Sequence, residues 1–329
     1  MKQLRKKCVS LLLLMSMLVT TIISIGGIST VKAAETVEAV QASVSAGPVY
    51  SGTVIRLTTA TEGATIKYST DGTTDYKETY SEPIKITKDT TINAIAQKGS
   101  DVSDNSAFSY TIKADPEGGV ITSIQDGQQV AIFSTYKNSL LTNEKMVTSD
   151  SYKNDVIKTV SATKTDTGLS VPEGTSYGLY NVSVVDGKYV FTDATSNSHI
   201  VAPAQHKLTL SDGAIDANSE WSVDKADDNS GFIVSLLGKS VETKNLSFNP
   251  QSGYFKSNYY ASKYLASSTI KFYAPSAIKS GVPTPVPSAD LKDGSKVAIT
   301  NVANKVMLSN EASQFNIKAI SVAIADGKV

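Results

Sequence analysis

QDGQQVAIFSTYKNSLLTNE, residues 125–144, is the stretch on which the fold turns. Asp126 and Gly127 signal a turn, and Val130 and Ile132 follow it at the period-two spacing of a strand with one face on a core. The same stretch returns as KDGSKVAITNVANKVMLSNE at 292–311. Aligned without a gap at an offset of 167, residues 126–144 and 293–311 share eight identities in nineteen: Asp, Gly, Val, Ala, Ile, Leu, Asn and Glu. Two looser versions follow the first, SVVDGKYVFTDATSNSHIVA at 183–202 and DDNSGFIVSLLGKSVE at 227–242. A valine stands three residues after the glycine each time: Val130, Val190, Val234 and Val297. A recurring turn and strand predicts a β-hairpin-rich, trefoil-like repeat module over 120–274 and the start of a second copy over 291–329. That second copy reads as incomplete, because below about 40 residues a chain without disulfides or metal rarely buries a core. Its turn chemistry still favours a transient hairpin.

Residues 47–114 read differently. Ile55 and Leu57, Ile66 and Tyr68, Ile84 and Ile86, and Ile92, Ala94 and Ala96 each alternate with polar neighbours. That period predicts short strands with one wet face and one buried face, hence an all-β sandwich. Asp71 and Gly72 mark a turn, and Pro83 opens a strand where its missing N–H does little harm. GATIKY at 63–68, DGT at 71–73, PIKI at 83–86 and TINAIA at 91–96 together resemble the chitobiase/β-hexosaminidase C-terminal type domain, an immunoglobulin-like module. Asp75 departs from it, standing near where the family has proline after the turn. The resemblance implies an accessory sandwich of secreted glycoside hydrolases and other surface enzymes, with no catalytic residues to carry over. The Asp-Gly-x-x-Val-x-Ile pattern of the later module is similar to segments of secreted nucleotidase, phosphoesterase and nuclease proteins.

The first 33 residues are another kind of sequence. A basic MKQLRKK, an apolar run from Val9 to Ile28 and the small-residue site ending at Ala33 predict a signal peptide cleaved after Ala33. An uncleaved membrane anchor is the alternative, since the apolar run exceeds the roughly 7–15 residues of an ordinary signal core. Residues 34–46 then form a spacer. Cleavage removes five basic residues and no acid, leaving 26 basic against 31 acidic residues and a net charge of −5. Arg56 is the sole arginine left, a composition that argues against nucleic acid as a partner. Cys8, the one cysteine, lies inside the signal, so the mature chain has neither disulfides nor thiol chemistry. The expected location is secreted or cell-surface, of Gram-positive-like bacterial type. The membrane is touched only through an uncleaved signal.

Asp115 to Gly119 reads as a hinge, and residues 275–290, with three prolines in five positions, as a linker. Candidate chemistry is sparse. Gly174-Thr175-Ser176-Tyr177-Gly178 matches a nucleophile elbow, but that motif needs a helix after the serine and a hairpin pattern follows instead. His199 and His206, the two histidines, bracket Pro203 and cannot share a helix face as metal ligands do; they read as surface or loop residues. DKADDNSG at 224–231 gathers Asp224, Asp227 and Asp228, oxygen ligands for Ca²⁺ or else a solvated turn. No other cofactor is expected, and no catalytic residue is assigned. Residues 254–273 are rich in rings, among them Tyr254, Tyr259, Tyr260 and Tyr264. Exposed, they would stack on a sugar; buried, they fill a core.

Three functional expectations follow. The first is a non-catalytic extracellular accessory or adhesion-type region that spaces, tethers or binds a surface within a larger multi-modular protein. The second is the accessory part of a secreted hydrolase, a glycoside hydrolase or a nucleotidase, phosphoesterase or nuclease, with its catalytic domain elsewhere. The third is a carbohydrate-binding protein using the tyrosines. In each, the expected partner is cell-wall or extracellular polysaccharide.

Overall fold

A computed structural model of the chain describes residues 36–147, 156–204, 206–237, 245–249, 253–258, 265–281, 300–301, 306–312 and 317–321. The chain divides into units 1–36 and 37–329, and the signal segment with Ala33 lies outside the described residues.

Alternation builds the first module. Strands β1 (Gly47–Tyr50), β2 (Thr53–Ile55), β3 (Thr65–Ser69), β4 (Ile84–Ile86), β5 (Thr90–Lys98) and β6 (Ser106–Lys113) carry it. β3, β5 and β6 pair antiparallel in that order, and β1 joins the far edge of β6 in parallel. β2 and β4 make a separate antiparallel pair. Ile55 and Ile86 of that pair meet Ile66, Ile92, Ala94, Ala96 and Tyr110 of the larger sheet in one core. This is an immunoglobulin-like sandwich, as the alternation predicts. Its start differs from expectation. Val37, Val40 and Val44 are buried in the same core, and the buried Tyr110 hydroxyl donates to the Val44 carbonyl at 2.8 Å. Residues 37–46 are therefore part of the sandwich and not a spacer, because three valines there cover its apolar face.

The second module is a closed ring. Its strands are β7 (Gln129–Ser134), β8 (Ser139–Lys145), β9 (Ile157–Ser161), β10 (Tyr180–Val185), β11 (Lys188–Asp193) and β12 (His199–Val201). They continue as β13 (Thr209–Ser211), β14 (Trp221–Lys225), β15 (Phe232–Leu236), β16 (Asn245–Asn249), β17 (Tyr254–Asn258) and β18 (Thr269–Tyr273). β7 pairs β10, β10 pairs β11, β11 pairs β14, β14 pairs β15, β15 pairs β18, and β18 returns to β7. Closure removes the exposed edges an open sheet would leave. Three hairpins hang from this barrel: β8–β9 after β7, β12–β13 after β11, and β16–β17 after β15. Three lobes of strand, hairpin and strand are the topology of a β-trefoil. Val130, Val190 and Val234 lie on β7, β11 and β15, the strands that open the lobes, and all three are buried. Trp221, Tyr180, Phe133, Phe191 and Phe272 fill the interior, with Phe191 and Phe272 stacked at 5.7 Å between ring centres.

The end of the ring is strapped. Pro275–Ala277 forms a 3-10 turn, and Ile278–Ser280 pairs in parallel with Gly168–Val171. A Cβ on Gly119 or on Gly168 would stand 2.1 Å from an atom of Ala277, and both glycines hold a left-handed φ, so only glycine fits at either place. Residues 275–281 thus belong to the trefoil, correcting the linker reading, while 282–290 lie outside the described residues. The expected hinge also packs: Gly119 accepts a hydrogen bond from the Ala274 N–H at 2.9 Å, and Ser276 bonds Asp115. Further on, β19 (Thr300–Asn301), β20 (Val306–Ala312) and β21 (Ile317–Ser321) form a three-stranded antiparallel sheet.

Candidate functional site

One buried side chain bonds the two modules together. Gln129, 3% exposed at the start of β7, accepts from the Val54 N–H at 2.9 Å and donates to the Val54 carbonyl at 2.9 Å. Its amide thus completes the backbone of β2 as a neighbouring strand would. The same Nε2 donates to Asn181 Oδ1 on β10 at 2.8 Å. A buried amide with all these bonds made is costly to remove, since each lost partner leaves a desolvated group. Arg56 adds an exposed bond to Asn197 at 3.0 Å, and Gly52 packs against Pro275.

Beside Gln129 the junction leaves a cleft of about 100 Å³, lined among others by Tyr50, Thr53, Lys113, Gln125, Asp126 and Gln128. Lys113 Nζ stands 4.1 Å from the centre of the Tyr50 ring, a cation–π contact. Burial lowers the Lys113 pKa, and burial followed by the nearby Asp115 charge raises that of the Tyr50 phenol. Two acceptors are already engaged: Asp126 Oδ1 takes the Val184 N–H at 2.8 Å and Gln128 Oε1 takes the Gln125 N–H at 2.9 Å. What the cleft offers is an aromatic ring, a cation and amides, suited to hydroxyl groups. It brings together no nucleophile and base.

The candidates from the sequence fall elsewhere. Ser176 is exposed in a segment between a turn and β10, with no helix after it. His199 is a correction: it sits in β12 at 3% exposure with a buried, unbonded Nε2, and burial pushes its pKa down against the opposing pull of Asp216 and Asp212. His206 does lie in a turn, at a φ of 63°, with its Nδ1 buried and unbonded. Asp228 accepts from the Ser230 N–H at 2.9 Å and hydroxyl at 2.5 Å, closing its own turn and lowering its pKa. Asp224 accepts from Ser222, and Asp227 is exposed. Among the described residues no group of three or more metal-ligating side chains converges. Tyr254 is 4% exposed, so its ring is a core ring and offers no stacking face. Phe255, Phe272 and Tyr273 are buried with it. Tyr259, Tyr260 and Tyr264 lie outside the described residues. Gln129, Tyr50 and Lys113 were not legible as a site, because nothing in the sequence shows that 48–54 and 125–129 meet.

Residues 44–109 match the chitobiase/beta-hexosaminidase C-terminal domain family, and they form a domain of this type. No curated protein matches the chain. Among solved structures, a β-trefoil titled BEL is similar at 10% identity and a TM-score of 0.34, over 46% of this chain and 95% of that one. A GlcNAcα1-4Gal-releasing endo-β-galactosidase from Clostridium perfringens aligns at 10% identity and a TM-score of 0.34, over 68% of this chain. The chain spans about half the length of that enzyme, 49%. A DUF4784 family protein from Bacteroides caccae aligns at 12% identity and a TM-score of 0.17, over 82% of this chain and 63% of that one. The trefoil assignment rests on strand pairing, not on these likenesses. No helix among the described residues is long and apolar enough to cross a membrane.

Proposed function

We propose that residues 37–281 act as a non-catalytic accessory region of a secreted, multi-modular, glycan-acting protein, holding a partner module against a polysaccharide surface. The observation that carries this reading is the chitobiase-type domain at 44–109, clamped onto a trefoil by the buried Gln129 amide. A spacer needs only strength; a clamped pair also fixes direction, which a surface-binding region uses. The parent is of the glycoside hydrolase type, and the ligand is extracellular polysaccharide. The test is retention of the mature chain, residues 34–329, on chitin and on purified Gram-positive cell walls. Retention on either, competed by soluble fragments of that polysaccharide, is the expected result. No retention on both, or turnover of a chromogenic glycoside or phosphoester that disappears in Ser176→Ala, overturns the reading.

A further inference from the structure

The strands after residue 299 repeat a pairing, not only a sequence. In the first trefoil β7 meets β8 as Phe133↔Leu140 and Ser134↔Ser139. β19 meets β20 as Thr300↔Met307 and Asn301↔Val306, each residue shifted by 167. β8 then meets β9 as Ser139↔Ser161, Leu140↔Val160 and Leu141↔Thr159, breaks register, and resumes at Lys145↔Ile157. β20 meets β21 as Val306↔Ser321, Met307↔Ile320 and Leu308↔Ala319, breaks register, and resumes at Ala312↔Ile317. The bounds of β8 and β20, 139–145 and 306–312, also differ by 167, and every β21 partner is shifted from its β9 counterpart by one constant, 160. A bulge at the same place in both copies is a specific feature, since one residue of slip would turn every side chain to the wrong face.

The surroundings differ. In the first trefoil β7 is flanked by barrel strands β10 and β18 as well as by β8. Among the described residues β19 pairs with β20 alone. The first ring is closed and has no barrel strand to lend. The copied sequence nevertheless keeps what barrel strands of a lobe would use. Asp126 and Gly127, matched by Asp293 and Gly294, bind Val184 and Val182 of β10, the fourth strand of their own lobe. Val130, Ala131 and Ile132, matched by Val297, Ala298 and Ile299, are buried inside the ring. Gln129, which holds the sandwich, is replaced by Lys296. The positions that close a barrel are copied; the one that docks a sandwich is not.

We infer that β19, β20 and β21 are the first three strands of a second β-trefoil, and that the edge of β19 away from β20 is an interaction surface for the barrel strands of further trefoil lobes. The second trefoil is then tethered to the first without a sandwich seated on it through the Gln129 contact.

Two measurements decide this. In the unmodified mature chain, cross-strand Hα contacts by NMR should place Val306 opposite Ser321 and Ala312 opposite Ile317; any other register overturns the inference. In a chimera, a second copy of residues 162–281 replaces residues 322–329, following directly on Ser321, the counterpart of Ser161. Amide exchange across 300–321 should slow by about a hundredfold or more, towards the protection of 129–161. Asp293→Ala in the chimera should weaken that protection, as Asp126→Ala should in the first ring. An appended segment that leaves 300–321 exchanging as fast as before overturns the inference. Neither readout depends on polysaccharide binding, so this inference and the proposed function fail separately.

Discussion

The sandwich and the trefoil solve the burial problem in opposite ways. In the sandwich the strands alternate between a core face and a more solvated one, and the core is made largely of medium and small side chains such as Ile55, Ile66, Ile92, Ala94 and Ala96. In the trefoil, β7 is buried at all six residues and β15 at all five, and the interior needs Trp221, Tyr180 and several phenylalanines to fill it. A two-layer sheet leaves half its surface to solvent; in the capped and strapped ring, β7 and β15 are covered on both sides. The two are therefore vulnerable at different places, the trefoil at its large rings and its strap, the junction at its buried Gln129 amide.

The sharpest break in that comparison is Trp221→Ala. The side chain is fully buried and its indole N–H reaches the Ile200 carbonyl at 3.4 Å. The loss should be about 3–5 kcal/mol. Calorimetry should show the trefoil transition falling sharply; a shift confined to the sandwich transition would contradict the separation of the two cores. The next effect tests the strap. Gly168→Ala sets a Cβ against Ala277 at a left-handed φ, and overpacking of this kind costs about 1–3 kcal/mol. Amide exchange of 275–280 should rise first, and unchanged protection there would show the strap to be dispensable.

Gln129→Ala asks whether the modules are one body or two. It leaves Val54 and Asn181 without their partner, a cost of about 1–3 kcal/mol. The expected outcome is uncoupling, with sandwich and trefoil melting at separate temperatures where the parent melts more cooperatively. A merely lowered common transition would mean that Arg56, Gly52 and Asp115 couple them without Gln129.

The smallest effect is in pH. His199 and His206 both have pKa values lowered by burial, so the unfolded chain takes up protons that the folded chain does not. Stability from these groups is then complete above the ordinary histidine pKa of about 6.5 and is lost as pH falls below it. Melting followed from pH 7.5 to 5.5 should show a decline that is reduced in His199→Gln/His206→Gln. A parent that gains stability over that range would reverse the sign argued here.

How much of this was legible follows from the same contrast. The sandwich was readable because a half-buried strand writes its period into the sequence, and its family motifs fall on β3, β4 and β5. The ring was readable only in its openings: Val130, Val190 and Val234 mark β7, β11 and β15 because a turn must precede each lobe. The pattern within β7 and β15 says little, because both of their faces are buried. The aromatic run at 254–273 had two readings, and a composition cannot choose between a ring in a core and a ring on a surface; for Tyr254 burial chose the core. Residues 37–46 and 275–281 misled in a common way, since both look like connectors until the face they cover is known.

By itself the sequence determined the all-β class, the order of the modules and the turn that starts each lobe, because these depend on neighbours a few residues apart. Only the tertiary structure decided that six strands close into a ring, that Ala277 needs glycine at both 119 and 168, and that Gln129 reaches Val54, seventy-five residues away along the chain. Those contacts join residues whose local sequence carries no trace of the other, and their energies exist only once the chain has brought them together.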